Sequence, residues 1–124
     1  MSKRVNNHME TYEYFELSEF DCKETGENEM DHGFITTLDL VRDRCGFRFV
    51  ITSGYRSIKH SKEIIKSTPG QHTKGIAADI RVNNACERYL LVDAAIAYGL
   101  NGVGVAKTFV HVDQRESPVT MWVY

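Results

Sequence analysis

Two short stretches of this chain alternate apolar and polar side chains with a period of two. In residues 76–82 (IAADIRV), Ile76, Ala78, Ile80 and Val82 share one face, while Ala77, Asp79 and Arg81 share the other. In residues 108–113, Val110 and Val112 point one way and Phe109, His111 and Asp113 point the other. Successive side chains of a strand leave opposite faces, so this period identifies strands and fits no helix. Each strand buries one face and presents titratable residues on the other. A chain with two such strands must cover one side of a sheet and leave the other side to chemistry.

The cover comes from helices. Between Met30 and Cys45, Ile35, Leu38 and Val41 recur at helical spacing with Phe34 and Cys45 on the same side, and Gly46 follows as a stop. Residues 85–98 form a second amphipathic pattern, closed by Gly99. A short helix is expected over 57–66, ended before Pro69-Gly70, and one helical turn capped by Ser18 over 18–21. Residues 47–52 (FRFVIT) read as a strand, as do 119–124 (VTMWVY), with Trp122 and Tyr124 as core strand residues, and 101–105 (NGVGV) as a glycine-punctuated strand or turn. The prediction is an α+β domain with a small, mostly antiparallel sheet and helices packed on it. At 124 residues the chain suits one domain, placed at 13–124 behind a flexible N-terminus at 1–12.

Charge and composition narrow the function. The formal net charge is −2, which argues against a general nucleic-acid binder, and no basic stripe with interleaved aromatics appears. The balance is uneven, because residues 10–31 hold nine acids and one base, while 32–124 carry a net +4. The acidic stretch reads as a solvated face leading into the first helix. No apolar run is long enough to cross a membrane. The N-terminus MSKRVNNHMETYEY lacks the apolar region of a secretory signal, so synthesis in the cytoplasm is expected. Cys22, Cys45 and Cys86 are odd in number and widely spaced with no C-x-x-C, which reads as free thiols. No G-x-S-x-G, phosphate-binding loop or H-E-x-x-H is present.

Metal-competent residues gather in two places: His72 and Asp79 in the first, His111 and Asp113 in the second. If the two alternating strands are neighbours, Asp79 and His111 meet on the non-core face. His72 can fold back to them from a loop bounded by Gly70 and Gly75. Two imidazoles and one carboxylate suit zinc and leave a fourth position open, the arrangement of catalytic sites. The His-x6-Asp spacing alone also leaves an incidental pairing open.

Three segments then fit together: Ile51-Thr52-Ser53-Gly54-Tyr55-Arg56-Ser57, His72-x-x-Gly75-x-Ala77-x-Asp79-Ile80 and Phe109-Val110-His111-Val112-Asp113. In order and spacing they resemble the M15 family of zinc D-Ala-D-Ala carboxypeptidases, most nearly the short single-domain members of bacteriophages and prophages. The resemblance covers roughly residues 15–115. It implies the fold shared by these carboxypeptidases and the hedgehog-type domains, with one zinc ion held by His72, Asp79 and His111. It implies that Arg56 binds substrate and polarises the scissile carbonyl, in keeping with the affinity of a guanidinium for a developing oxyanion or a terminal carboxylate. Tyr55 and His60 are the further candidates for substrate contact. Many family members carry a carboxylate three residues before the last histidine, where this chain has Thr108. Asp113 can instead take the proton of the attacking water or orient an imidazole, and an unidentified carboxylate is the other option.

The function implied is a zinc-dependent peptidase acting on the stem or cross-link peptides of bacterial peptidoglycan, as carboxypeptidase or endopeptidase. A phage endolysin released to the wall by a holin fits the missing signal, and a cytoplasmic or virion-associated muralytic domain fits it nearly as well. The partners expected are peptidoglycan peptide stems, with no nucleic acid, no membrane insertion and a monomeric protein. The alternative is a non-catalytic zinc domain that binds peptides or proteins on the same fold, a reading sustained by Thr108.

Overall fold

A computed structural model describes residues 11–66 and 70–124. The first helix, α1 (His32–Cys45), begins where the Asp31 side chain accepts a hydrogen bond from Phe34 N at 2.9 Å and ends at Gly46, whose φ is 76°. Its buried stripe is Phe34, Ile35, Leu38, Val41 and Cys45, the spacing that the sequence displays. A later helix, α3 (Ala85–Ala97), is capped by Asn84 and packs against α1, burying Leu91, Ala94 and Ala95. Between them, the described residues include one turn of α-helix, α2 (Ser61–Ile64), and a 3-10 turn at Gln71–Lys74.

Among the described residues, five strands form one sheet: β1 (Ile51–Ser53), β2 (Ala77–Arg81), β3 (Gly102–Val105), β4 (Phe109–Asp113) and β5 (Thr120–Val123). Their spatial order is β1-β2-β4-β3-β5. All pairings are antiparallel except β3 with β5, which is parallel. The α+β architecture and the mostly antiparallel sheet are those expected. Ala78, Ile80, Val110, Val112 and Val103 join α1, α3, Phe15, Phe20 and Phe49 in the core. The β2–β4 register sets Asp79 directly opposite His111, so the two polar residues are neighbours on the face away from that core.

Several boundaries differ from the expectation. The strand expected over 47–52 is confined to Ile51–Ser53, with a register irregularity in its pairing to β2. Upstream, Phe47 and Phe49 pack on each other with centroids 5.3 Å apart and serve the core instead of a ladder. The helix expected over 57–66 shortens to α2 because Ser57 organises a turn first, its Oγ accepting from Lys59 N and its carbonyl from His60 N. Its expected stop involves Pro69, outside the described residues. The early turn is a 3-10 turn at Leu17–Phe20 led by Glu16, not Ser18. Tyr12, assigned to the N-terminus, is 3% exposed and belongs to the core; residues 1–10 of that segment lie outside the described residues. Trp122 and Tyr124 are not core residues: β5 is an edge strand, and Tyr124 is 68% exposed. Glu24 and Glu29 of the acidic stretch are exposed, and they also hold neighbouring elements. Glu24 accepts from Ser61 N and Oγ, clamping the start of α2, and Glu29 accepts from the Tyr55 hydroxyl at 3.2 Å. All three cysteines are free thiols.

Candidate metal centre

Asp79 and His111 reach the site from adjacent strands, and His72 reaches it from the 3-10 turn Gln71–Lys74 that precedes β2. The turn closes at Gly75, with φ 73°, where the backbone lies against residues 29–31; a Cβ would collide with the Glu29 carbonyl. Asp31 N donates to Gly75 O at 2.8 Å, and Arg56 N donates to His72 O at 3.1 Å, so the turn is tied to α1 and to the chain after β1.

Each imidazole is anchored through one nitrogen and presents the other. His72 Nδ1 lies 2.7 Å from Gly54 O, a carbonyl that can only accept, so Nδ1 carries the hydrogen. His72 Nε2 then faces Asp79 Oδ1 at 3.3 Å. His111 Nε2 lies 2.6 Å from Asp113 Oδ2, and its Nδ1 lies 3.0 Å from Asp79 Oδ1. One ligand atom from each of His72, Asp79 and His111 lies within 4.8 Å of the others. All three residues are under 9% exposed. The donor set fits a zinc ion: two nitrogens and one oxygen converge, and the remaining ring nitrogens already have the acceptors that fix tautomer and orientation.

The electrostatics follow from this packing. Burial works to raise the Asp79 pKa, but the close approach of the His111 and His72 rings outweighs it and holds the carboxyl well below its usual range. Burial likewise opposes the charged form of His111, and its bonds to Asp113 and Asp79 prevail and raise its pKa. Asp113, also pushed up by burial, is brought down to about 2 by Arg115 and His111.

The site opens into a cleft of about 480 Å³ whose lining includes Arg56, Lys62, Lys66 and Arg115 together with Trp122 and Tyr124. Among the described residues, Asp79 is the one carboxylate in that lining. Arg56 is the expected residue that faces the ligands, its Nη2 lying 3.7 Å from Asp79 Oδ2. Asp113 is fully buried beside His111 and does not line the cleft. Its oxygens take Arg115 Nε at 2.9 Å and Arg115 Nη2 at 2.6 Å. Tyr55 and His60 are absent from the lining as well. Tyr55 is buried with its hydroxyl on Glu29. The His60 ring caps α2 through Nδ1 and meets Glu24 through Nε2 at 3.3 Å. Thr108 lines a separate hollow with Arg81 and Asn83.

Two participants escaped the sequence reading. Glu63, 2% exposed, accepts from Arg56 Nη1 at 3.2 Å, Lys66 Nζ at 3.0 Å and Gly70 N at 2.8 Å. It thereby braces Arg56 and the start of the segment bearing His72. It is the only acid in the basic run 56–66 (RSIKHSKEIIK), which is the one signal for it. Trp122 is the other. Its ring lies 5.2 Å from His111, centroid to centroid, and nothing in VTMWVY marks it for that place.

No curated protein matches the chain. A family model described as Peptidase M15 matches residues 13–113, which include Arg56, His72, Asp79 and His111. Its His-Asp-His cluster could hold a metal, and with that match across most of its length the chain belongs to the peptidase M15 family, whose members are zinc-dependent.

Proposed function

We propose that the protein is a zinc peptidase that cleaves peptide bonds in the stem or cross-link peptides of bacterial peptidoglycan, and that it serves as a phage-type lysin. The observation that carries this reading is the convergence of His72 Nε2, Asp79 Oδ1 and His111 Nδ1 at the floor of a cleft lined by cations. His72, Asp79 and His111 are the residues that would hold the ion. When bound, zinc supplies a Lewis acid for the scissile carbonyl and lowers the pKa of water toward about 7.

The chain's own groups do the rest. Arg56 stands beside Asp79 and offers its guanidinium to an oxyanion or to a substrate carboxylate. Glu63 holds Arg56 in place. Asp113 accepts from His111 Nε2, keeps that imidazole in one tautomer and leaves Nδ1 for the metal. Lys62, Lys66 and Arg115 add positive charge at the cleft and draw in the carboxylates of peptide stems.

One observation favours the second reading, a non-catalytic zinc domain that binds peptides: among the described residues, the lining offers no side-chain carboxylate other than Asp79 to take a proton. A single set of measurements separates the two. The purified protein is expected to contain about one zinc per chain, by the ligand count of a three-residue site. It is expected to release amino groups from purified cell walls, and His72→Ala to lose both properties. Undiminished hydrolysis by His72→Ala would sink the peptidase proposal. Stoichiometric zinc without turnover on any muropeptide selects the binding domain. Mass spectrometry of the digest identifies the bond cut and distinguishes carboxypeptidase from endopeptidase.

A further inference from the structure

We infer that Arg115 and Trp122 are positioning residues for the metal ligand His111, and that they make the terminal strand β5 part of the metal centre. The inference rests on the assignment of His111 as a ligand made above.

The contacts close on themselves. His111 Nε2 meets Asp113 Oδ2 at 2.6 Å. Both oxygens of Asp113 are gripped by Arg115, Nε on Oδ1 at 2.9 Å and Nη2 on Oδ2 at 2.6 Å. The guanidinium carbon of Arg115 lies 4.9 Å from the centroid of the Trp122 ring. The Trp122 ring in turn lies 5.2 Å from the His111 ring. Starting from His111, the chain of contacts passes through a carboxylate, a guanidinium and an indole and returns to His111.

β3 is shaped to let this ring form. It runs between β4 and β5, and its Gly102 and Gly104 pair with Asp113 and His111. A Cβ on Gly102 would collide with the Asp113 carboxylate and sit 2.6 Å from Arg115 Nε. A Cβ on Gly104 would sit 2.5 Å from Trp122 Nε1. The glycines of NGVGV therefore clear the sheet face at the two places where the ring crosses it.

An imidazole ligand must hold its donor nitrogen on target against rotation of the ring. The bond to Asp113 sets the tautomer, but it orients the ring only if the carboxylate is itself fixed. The fork of Arg115 fixes it in a way one ammonium cannot, since two parallel N–H bonds define the carboxylate plane. Trp122 covers the guanidinium and flanks the imidazole, adding shape and no charge. If Arg115 merely neutralised a buried acid, lysine would replace it and Trp122 would be dispensable.

That contrast is the test. Apo forms of the parent and of Arg115→Lys, Trp122→Ala and Trp122→Phe, each shown folded by circular dichroism, are titrated with zinc against a chromophoric chelator. They are then loaded with cobalt(II) for absorption spectra. Arg115→Lys and Trp122→Ala are expected to bind zinc about tenfold to a hundredfold more weakly and to shift the cobalt ligand-field bands. Trp122→Phe, which retains an aromatic face, is expected to restore the parental spectrum and affinity. Parental zinc affinity and unchanged cobalt bands in both Arg115→Lys and Trp122→Ala would overturn the inference. A parent protein that takes up no zinc overturns the ligand assignment itself, and so is told apart from failure of the positioning claim.

Discussion

Glu63 shows how much a single buried charge can organise. Its side chain has no solvent exposure, and three donors converge on it: Gly70 N, Lys66 and Arg56. Burial pushes its carboxyl up, but those donors outweigh burial and bring its pKa from the ordinary 4.5 to about 2. A folded-state pKa below the unfolded one means the stabilisation is complete above about 4.5 and is lost as the pH falls through about 2. Glu63→Gln is therefore expected to lower unfolding free energy at neutral pH by on the order of 2–3 kcal/mol. The gap between variant and parent should close as both are acidified through that window. Urea unfolding at a series of pH values checks it, and a gap that stays constant into acid would contradict the assignment. Neither Glu63 nor Trp122 stands out in the sequence, because the groups that give them meaning arrive from other elements. Asp79 and His111 were legible as strand-face residues, because side-chain direction alternates within one strand; His72, on a turn, joined them only through the family resemblance, since type and spacing alone left an incidental pairing open.

At the scale of elements, length decides how well local pattern reports structure. α1 and α3 run three turns or more, so their apolar stripes repeat and their caps are explicit. α2 and β1 are four and three residues long, too short for a period to be established, and their limits are set by contacts from elsewhere. Glu24 clamps the start of α2 from the acidic stretch, and Phe47 and Phe49 draw the chain before β1 into the core. The N-terminus of α1 matters beyond the helix itself. Asp31 caps it through Phe34 N while its own backbone N–H holds Gly75, the end of the turn that carries His72. Asp31→Ala is expected to cost about 1 kcal/mol, seen as a fall of a few degrees in Tm, whereas Asp31→Asn, which keeps an acceptor, should lose only part of that. Thermal unfolding of the two variants beside the parent measures the difference. An alanine variant as stable as the asparagine variant would show that the cap contributes nothing.

At the scale of the molecule, the two faces of the sheet divide the work. One is sealed by α1, α3 and the phenylalanines; the other carries the ligands and the cationic cleft. Among the described residues, no helix is long and apolar enough to cross a membrane. Because the ligand set is assembled only in the folded chain, zinc should stabilise the whole domain. Free zinc at about a hundred times its Kd is expected to add roughly 2.7 kcal/mol to the unfolding free energy. Calorimetry of apo and zinc-loaded protein should show the rise in Tm for the parent and none for His72→Ala; equal shifts in both would place the ion elsewhere. The strand faces of Asp79 and His111, the stripe of α1 and the α+β class follow from local pattern, since each depends on side-chain directions within one element. Long-range packing makes β2 and β4 neighbours in the register that sets Asp79 against His111, and folds His72 back with its Nδ1 on Gly54 O. The same packing places Asp113 behind His111 with Arg115 and Trp122 closed around it. The period within a strand is local chemistry. Which strands meet, in what register and over which glycines, depends on how the whole core packs.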